Sequence, residues 1–241
     1  MKYHVFDPTG NITILAECKR DRKAADDLMK AVPDAEQVGF LTDDGLTLTM
    51  AGGEFCGNAS MCAAALYAER TGKKEIRLRV SGAEGEVAVT AEGAAGRYTC
   101  TVEMPPVKKI ENRVLTYGER EYETCAVHMQ GICHLIVTCP MQKAAAEAAA
   151  EKWCTELSTD AVGLMFFDRE KLELKPLVYV KTADTLFWES SCASGTSAVG
   201  AYLAHTENRM ISAAISEPAG ILRVEAYPDG RIKLTGNVIF R

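Results

Sequence analysis

Two cysteines stand at matching places in the sequence, each at the start of an alanine-rich stretch. Cys56 lies in EFCGNASMCAAALY and Cys192 lies in SSCASGTSAVGAYL. The small residues after each cysteine and the helical spacing of the apolar residues predict that each cysteine immediately precedes a helix. The first backbone N–H groups of a helix have no partner inside the helix, and they attract anions. We therefore expect a lowered thiol pKa at both positions.

Two helix starts of this kind, each carrying a thiol, could together invert a carbon atom that lies next to a carboxylate. The backbone amides would hold the carboxylate and stabilise the negative charge that develops on it. One thiolate would remove the α-proton, and the other thiol would deliver a proton to the opposite face of the carbon. This chemistry needs no cofactor. The cysteines are not spaced as metal ligands, so we expect neither a cofactor nor a metal.

The elements that must position these cysteines occur twice along the chain. The pattern predicts helices over residues 20–31, 57–70, 141–157 and 193–207, separated by short strands, which is typical of a mixed α/β fold. VSGAEGEVAV follows the first cysteine motif at nearly the distance at which ISEPAGILRV follows the second. The repeat predicts two similar halves that face each other across a cleft. The halves are expected to join near residues 107–120, where Lys108 and Lys109 have the character of a solvated linker.

Composition narrows the class of protein. The chain has 241 residues, 47% of them hydrophobic, and a formal net charge of −6. This charge argues against a dominating basic face for nucleic acid, and no uncharged run is long enough to cross a membrane. Asp7 and Pro8 interrupt the apolar stretch that a signal peptide needs. The nine cysteines lack the rhythm of a disulfide framework, so we expect reduced thiols in the cytoplasm.

The two cysteine motifs resemble the signatures of the diaminopimelate epimerase-like racemases, and the likeness extends over nearly the whole chain. PTGNITIL, AEQVGFL and LTGNVIFR resemble further elements of that family. EQVGF, VGLMFFD and TLFWESSCASGT resemble its branch of histidine racemases from opine-metallophore biosynthesis. The resemblance implies an α/β (α+β) fold of two pseudo-symmetric halves, each a curved mixed sheet wrapped around a central helix, with the active site in the cleft. The halves would comprise residues 1–112, to which a strand over 232–241 returns, and residues 113–231.

The same resemblance implies roles for individual residues. Cys56 and Cys192 would be the two acid–base groups of a cofactor-independent reaction. The α-carboxylate would be bound by the amides of Gly57, Asn58, Ala193 and Ser194, and Asn11 and Gln37 would contact the substrate. The expected partner is a small amino acid, with neither nucleic acid nor membrane, and a homodimer stays open.

Two departures from true diaminopimelate epimerases bear on the substrate. The Asn-Pro-His element of those enzymes is replaced by GICHLIV, and KTADTLFWESS lacks their Glu-Arg-Gly arginine. A pocket without these groups has little to pair with a second carboxylate. We therefore expect a substrate with a neutral or cationic side chain. The resemblance to the histidine racemase branch implies that it is histidine, with diaminopimelate or another amino acid as the alternative. Candidate contacts to the side chain are Glu54, His134, Phe187, Trp188 and Glu189.

Two readings from other classes stay open at the level of sequence. A non-catalytic small-molecule binding protein could keep the duplicated cleft, although both thiols are intact. A redox-sensing protein could close a disulfide between the two cysteines. Exchange of the α-proton in D2O would distinguish a racemase from either alternative.

Overall fold

A computed structural model describes residues 1–181 and 184–241 of the chain. Thr182 and Ala183, which belong to the KTADTLFWESS stretch, lie outside the described residues. The chain divides into two compact units. Unit 1 comprises residues 1–104 and 233–241, and unit 2 comprises residues 105–232. Within the described residues, no helix is long and apolar enough to span a bilayer.

Unit 1 is built on a sheet that closes on itself. The first strand pairs antiparallel with both the second strand and the last strand of the chain, and the seventh strand lies beside that last strand. Closure removes the open edges that an isolated sheet would present. The strands of unit 1, numbered with those of unit 2 in chain order, are β1 (Tyr3–Pro8), β2 (Thr13–Ala16), β3 (Gln37–Leu41), β4 (Thr47–Met50), β5 (Glu75–Val80), β6 (Glu86–Ala94), β7 (Arg97–Met104) and β16 (Ile232–Phe240).

Helix α2 (Gly57–Thr71) is the central helix of unit 1, and the amphipathic helix α1 (Arg22–Ala31) packs on β3. The first ten residues of α2 are buried on all sides, as expected of a helix without a polar face. Small side chains suit this place, because β1, β2, β5, β6 and β7 all contact the helix. The helix ends at Gly72, whose φ of 72° is the left-handed conformation that glycine adopts without strain.

Unit 2 repeats this plan with an open strand order. Its strands follow each other as β15-β14-β12-β11-β10-β9-β8, and β13 pairs with β12. The strands are β8 (Lys109–Tyr117), β9 (Arg120–Met129), β10 (Ile132–Val137), β11 (Ala161–Asp168), β12 (Glu173–Val180), β13 (Thr185–Trp188), β14 (Ile211–Glu217) and β15 (Gly220–Ala226).

Helix α4 (Ala193–Glu207) is the central helix of unit 2 and contacts β9, β10, β11, β14 and β15. Gly200 allows the close approach to β15, since a Cβ atom there would lie 2.5 Å from Val224 Cγ2. Helix α3 (Lys143–Glu156) covers another face of the sheet and buries Trp153 completely. The structure therefore confirms the four predicted helices to within two residues at each end.

The stretch near which the two halves are expected to join is mostly strand. Lys108 and Lys109 are exposed, as expected of a solvated linker, but Lys109 already begins a strand. Residues Lys109–Tyr117 form β8, which pairs along its whole length with β9. Most of its side chains are exposed or half-buried, because the strand lies at the end of the strand order in unit 2. A polar edge strand has the composition of a linker, which explains the difference.

Candidate active site

Cys56 occupies the N-cap of α2. Its backbone is extended, with φ −132° and ψ 115°, and its sulfur accepts a hydrogen bond from the Ala59 N–H at 3.4 Å. The Cys56 carbonyl accepts from the backbone N–H and the hydroxyl of Ser60, at 3.0 and 2.7 Å. Cysteine thus takes the place that serine or threonine takes at an ordinary N-cap. Gly57 and Asn58 form the first buried turn of the helix.

A chain of polar side chains leads away from the Cys56 thiol. The thiol donates to Gln37 Oε1 at 2.9 Å, and Gln37 Nε2 donates to Asn11 Oδ1 and, at 3.0 Å, to Thr13 Oγ1. Asn11 Nδ2 donates in turn to Glu36 Oε2 at 2.6 Å. The parallel pairing of Thr13 with Gln37 brings β2 and β3 together at this point. The structure therefore places Asn11 and Gln37, two of the predicted contact residues, beside the first cysteine.

Cys192 repeats this geometry in unit 2. It is the N-cap of α4, with φ −126° and ψ 103°, and its sulfur accepts from the Gly195 N–H at 3.3 Å. The Ser194 hydroxyl lies 3.6 Å from the sulfur. Ala193 is buried at the first position of the helix and Ser194 is half-buried at the second. Each helix therefore begins with a thiol that caps the third backbone N–H.

A buried carboxyl group lies at the start of α4. Glu217 Oε2 accepts from the backbone N–H of Cys192 at 2.7 Å, and Oε1 accepts from the Thr196 hydroxyl. The side chain is only 6% exposed. Burial, together with the nearby negative charge of Glu189, raises the pKa of Glu217 to about 8, although the two hydrogen bonds act to lower it.

The lowered thiol pKa expected at both helix starts is wrong for Cys192. Burial raises the pKa of this thiol well above its ordinary value, and the negative charges of Glu189 and Glu217 act in the same direction. A hydrogen bond from Ser194 opposes the shift but does not reverse it. The helix N-terminus is therefore outweighed by desolvation and by two neighbouring carboxylates.

The side chains before Cys192 alternate between two faces of β13. The Trp188 indole donates to Glu147 at 2.9 Å and stacks on Phe166 at 5.6 Å, so it belongs to the core beside α3. Phe187 points the other way and is 60% exposed. Glu189 follows Phe187 by two residues, so it lies on the same side of the extended chain. It hydrogen-bonds to the Cys192 thiol. Of the candidates near the second cysteine, Glu189 therefore lies at the thiol and Trp188 does not; in unit 1, Glu54 is exposed.

His134 is completely buried on β10, and neither ring nitrogen hydrogen-bonds to another described residue. Burial lowers its pKa to about 3, so the ring is neutral. It lies directly opposite Gly163 of β11. A Cβ atom at Gly163 would lie 2.2 Å from His134 Nδ1 and 2.7 Å from Met165 Cε. Glycine is therefore required at position 163 by the bulk of this histidine.

Replacing Gly163 by alanine is expected to lower the free energy of unfolding by about 1–3 kcal/mol, because the buried ring has no room to move aside. Urea denaturation followed by circular dichroism would measure the change. Gly52→Ala is the matched control, because its new methyl group would meet only the end of the exposed Glu54 side chain. Equal stability of the two variants would contradict the steric argument.

Two residues of this region were missed from the sequence. Glu36 sits beside the predicted Gln37 and completes the polar chain to Cys56. Glu217 had a usable signal, since the burial pattern of β14 places it on the same face as Ile211 and Ile215. A charged residue on the inward face of a strand is unusual and indicates a specific partner.

The structure also bears on disulfide formation and metal binding by the cysteines. All nine cysteines lie in the described residues and are reduced thiols. In the part of the chain that the structure describes, no group of three or more His, Cys, Asp or Glu side chains is arranged to hold a metal ion.

Comparison with known proteins gives a consistent result over the whole chain. The family model described as the histidine racemase CntK N-terminal domain matches residues 1–238. A histidine racemase of Fusobacterium nucleatum is 34% identical over 95% of this chain and 92% of its own. A histidine racemase of Staphylococcus aureus is 28% identical over 86% of this chain and 81% of its own.

Solved structures agree on the fold. A predicted epimerase from Pseudomonas aeruginosa superposes with a TM-score of 0.71 at 15% identity, covering 99% of this chain and 96% of its own. A phenazine biosynthesis PhzC/PhzF protein from Clostridium difficile superposes with a TM-score of 0.63 at 12% identity, with the same coverage. These likenesses confirm the epimerase-like α+β fold that the sequence predicted.

Proposed function

Because this chain belongs to the histidine racemase CntK N-terminal domain family, we propose that it interconverts L-histidine and D-histidine. The enzyme is an isomerase, and its substrate is a small amino acid. The observation that carries the proposal, beside the family, is the paired geometry of Cys56 and Cys192. Each thiol caps the third N–H of a central helix, at 3.4 and 3.3 Å.

The proposed reaction uses Cys56 and Cys192 as its two acid–base groups and needs no cofactor. One cysteine, as the thiolate, takes the α-proton of histidine and becomes a thiol. The electron pair left on the α-carbon is delocalised into the carboxylate. The second cysteine, as the thiol, then donates its proton to the other face and becomes the thiolate. Atoms and electrons balance, since one proton leaves and one arrives.

The amides at the helix starts are proposed to bind the substrate carboxylate. Gly57 and Asn58 supply them in unit 1, and Ala193 and Ser194 supply them in unit 2. Small residues at these places leave the N–H groups accessible, and the positive end of the helix dipole favours an anion. These interactions strengthen as charge moves onto the carboxylate, so they stabilise the transition state more than the ground state.

The polar residues beside the thiols are proposed to orient them and to contact the substrate. The Cys56 thiol donates a hydrogen bond to Gln37 Oε1 at 2.9 Å. Asn11 orients Gln37, because Asn11 Oδ1 accepts a hydrogen bond from Gln37 Nε2. Glu189 brings negative charge to the Cys192 thiol, and Glu36 brings it to the end of the polar chain from Cys56. This charge suits the ammonium group and an imidazole N–H of histidine. Because the spacing of the nine cysteines lacks the rhythm of a disulfide framework, we propose that the protein works in the reducing cytoplasm.

Incubation with L-histidine in D2O tests the proposal directly. We expect loss of the α-proton signal by NMR and formation of D-histidine by chiral chromatography, in the presence of a reductant and after dialysis against EDTA. The Cys56→Ser/Cys192→Ser double variant is the control for background exchange. A protein that only binds histidine would give no exchange, and activity lost to EDTA but restored by a metal would contradict the cofactor-independent mechanism.

A further inference from the structure

Glu217 differs from its counterpart in the first half of the chain. The sequence repeat aligns VSGAEGEV, from Val80, with ISEPAGIL, from Ile215, so that Glu217 corresponds to Gly82. A Cβ atom at Gly82 would lie 2.3 Å from the Phe55 backbone nitrogen. The backbone before Cys56 therefore fills the space that a carboxyl group fills beside Cys192. A buried carboxyl group therefore occurs at this aligned position only beside Cys192.

The contacts of Glu217 complete the cap of α4. In an ordinary capping box, a glutamate at the third helical position accepts from the backbone N–H of the N-cap residue. Here that third position is Gly195, and Glu217 supplies the carboxylate from the end of β14 instead. The Thr196 hydroxyl, one position further on, binds the second oxygen. Both oxygens are therefore committed to the residues that fix the Cys192 backbone.

We propose that Glu217 is a positioning residue of the racemase, which fixes Cys192 through its backbone amide and, when ionised, keeps the proton on the Cys192 sulfur. The geometry carries this inference, because a buried negative charge bound to a residue's own N–H lies close to that residue's sulfur. A thiolate would place a second negative charge in the same buried space.

The titratable groups around Glu217 also favour the protonated form of the Cys192 thiol. The charge of Glu189 raises the pKa of Glu217, and the charges of Glu189 and Glu217 both raise the pKa of the Cys192 thiol. On β12, the exposed Glu173 lies opposite Ser216, and on β15 the partner of Glu217 is the uncharged Gly220. With a pKa of about 8, Glu217 ionises before the Cys192 thiol does. Glu217 is therefore a carboxylate throughout the range in which that thiol titrates.

The inference rests on the proposed role of Cys192 as an acid–base group, and it assigns to this thiol the role of the acid. A thiol that holds its proton is ready to act as the proton donor. The first half of the chain has no equivalent carboxyl, since Gly82 stands in its place. Above about pH 8, where Glu217 is ionised, Cys192 therefore keeps its proton and can act as the acid.

Alkylation of Cys192 tests the inference without using activity. In a Cys56→Ser background, the rate of iodoacetamide labelling at Cys192 is followed from pH 6 to 11 by mass spectrometry of its peptide. Glu217→Gln removes the charge but keeps a carbonyl oxygen for the Cys192 N–H. We expect this change to lower the labelling midpoint by about one pH unit, which is about tenfold more thiolate at a fixed pH below it. Glu225→Gln, an exposed glutamate on β15, is the matched control and should not move the midpoint.

A second measurement covers the case in which Glu217→Gln does not fold. With Glu217 intact, the labelling midpoint of Cys192 should lie above the ordinary thiol value of about 8.5. An ordinary or lower midpoint would overturn the inference, as would an unchanged midpoint in folded Glu217→Gln.

Kinetics separate this inference from the proposed function. Positioning through the amide predicts that Glu217→Ala lowers kcat more than it raises KM, and that Glu217→Gln restores most of kcat at pH 7. Loss of kcat in both variants to the same extent would contradict the positioning role. The proposed function fails separately, if Cys192→Ser turns over histidine normally, and in that case the labelling result still stands.

Discussion

Replacing either Cys56 or Cys192 by serine is expected to lower kcat for histidine racemisation at least about 10³-fold. Each inversion needs a base on one face of the α-carbon and an acid on the other, so one thiol alone cannot complete it. Serine preserves the size and the capping hydrogen bond of cysteine, but its hydroxyl is far too weak an acid to supply a thiolate equivalent. The loss should therefore appear in kcat, with little change in the free energy of unfolding.

Initial rates by circular dichroism of the amino acid, in both directions, would measure this loss. Cys62→Ser is the control, because Cys62 lies in the same helix and is buried, and Thr13 is placed to hydrogen-bond with its side chain. We expect its kcat to stay within about threefold of wild type. Each active-site variant keeps one thiol, so each should still eliminate a good β-leaving group from a histidine analogue. Near-normal racemisation by either serine variant would refute the assignment.

The helix starts could be predicted from the sequence because their signal is local. Small residues after Cys56 and Cys192 and helical spacing of apolar side chains fix an N-cap within a few residues, and the repeat shows each signal twice. The polar neighbours Asn11 and Gln37 could be placed only through family resemblance. They meet at the Cys56 thiol because β2 pairs in parallel with β3, and no local pattern encodes that pairing.

Features that depend on the tertiary environment could not be predicted in the same way. The closure of the sheet in unit 1 arises from pairing between β1 and β16, at opposite ends of the chain. The helix start alone predicts a lowered pKa for Cys192, but the pKa is raised. The effect of a helix N-terminus is confined to about one turn. Burial and the carboxylates of Glu189 and Glu217 depend on the tertiary fold, and they outweigh it. Local sequence thus predicts the position of the Cys192 thiol at a helix start, and the surrounding fold determines its protonation.

Phenylalanine is expected to be a poor substrate, with kcat/KM lower than that of histidine by up to about 10⁴-fold. The two side chains have similar shapes, so an apolar pocket would discriminate weakly between them. Polar discrimination is strong when the site holds hydrogen-bond acceptors that the wrong substrate leaves unpaired. The half-buried carboxylate of Glu189 provides such an acceptor at the Cys192 thiol, and that of Glu36 lies at the end of the polar chain from Cys56.

Diaminopimelate is expected to react poorly for a different reason. Its second carboxylate would approach the negative charges of Glu36 and Glu189, and no arginine stands in KTADTLFWESS to pair with it. Chiral chromatography of parallel incubations with histidine, phenylalanine and diaminopimelate would measure all three rates. Glu189→Gln separates charge from hydrogen bonding: it should narrow the difference between histidine and diaminopimelate while histidine stays preferred over phenylalanine. Efficient turnover of diaminopimelate with inert histidine would overturn the proposed substrate and leave the two-thiol mechanism in place, because the amides and thiols act only on the atoms that every α-amino acid shares.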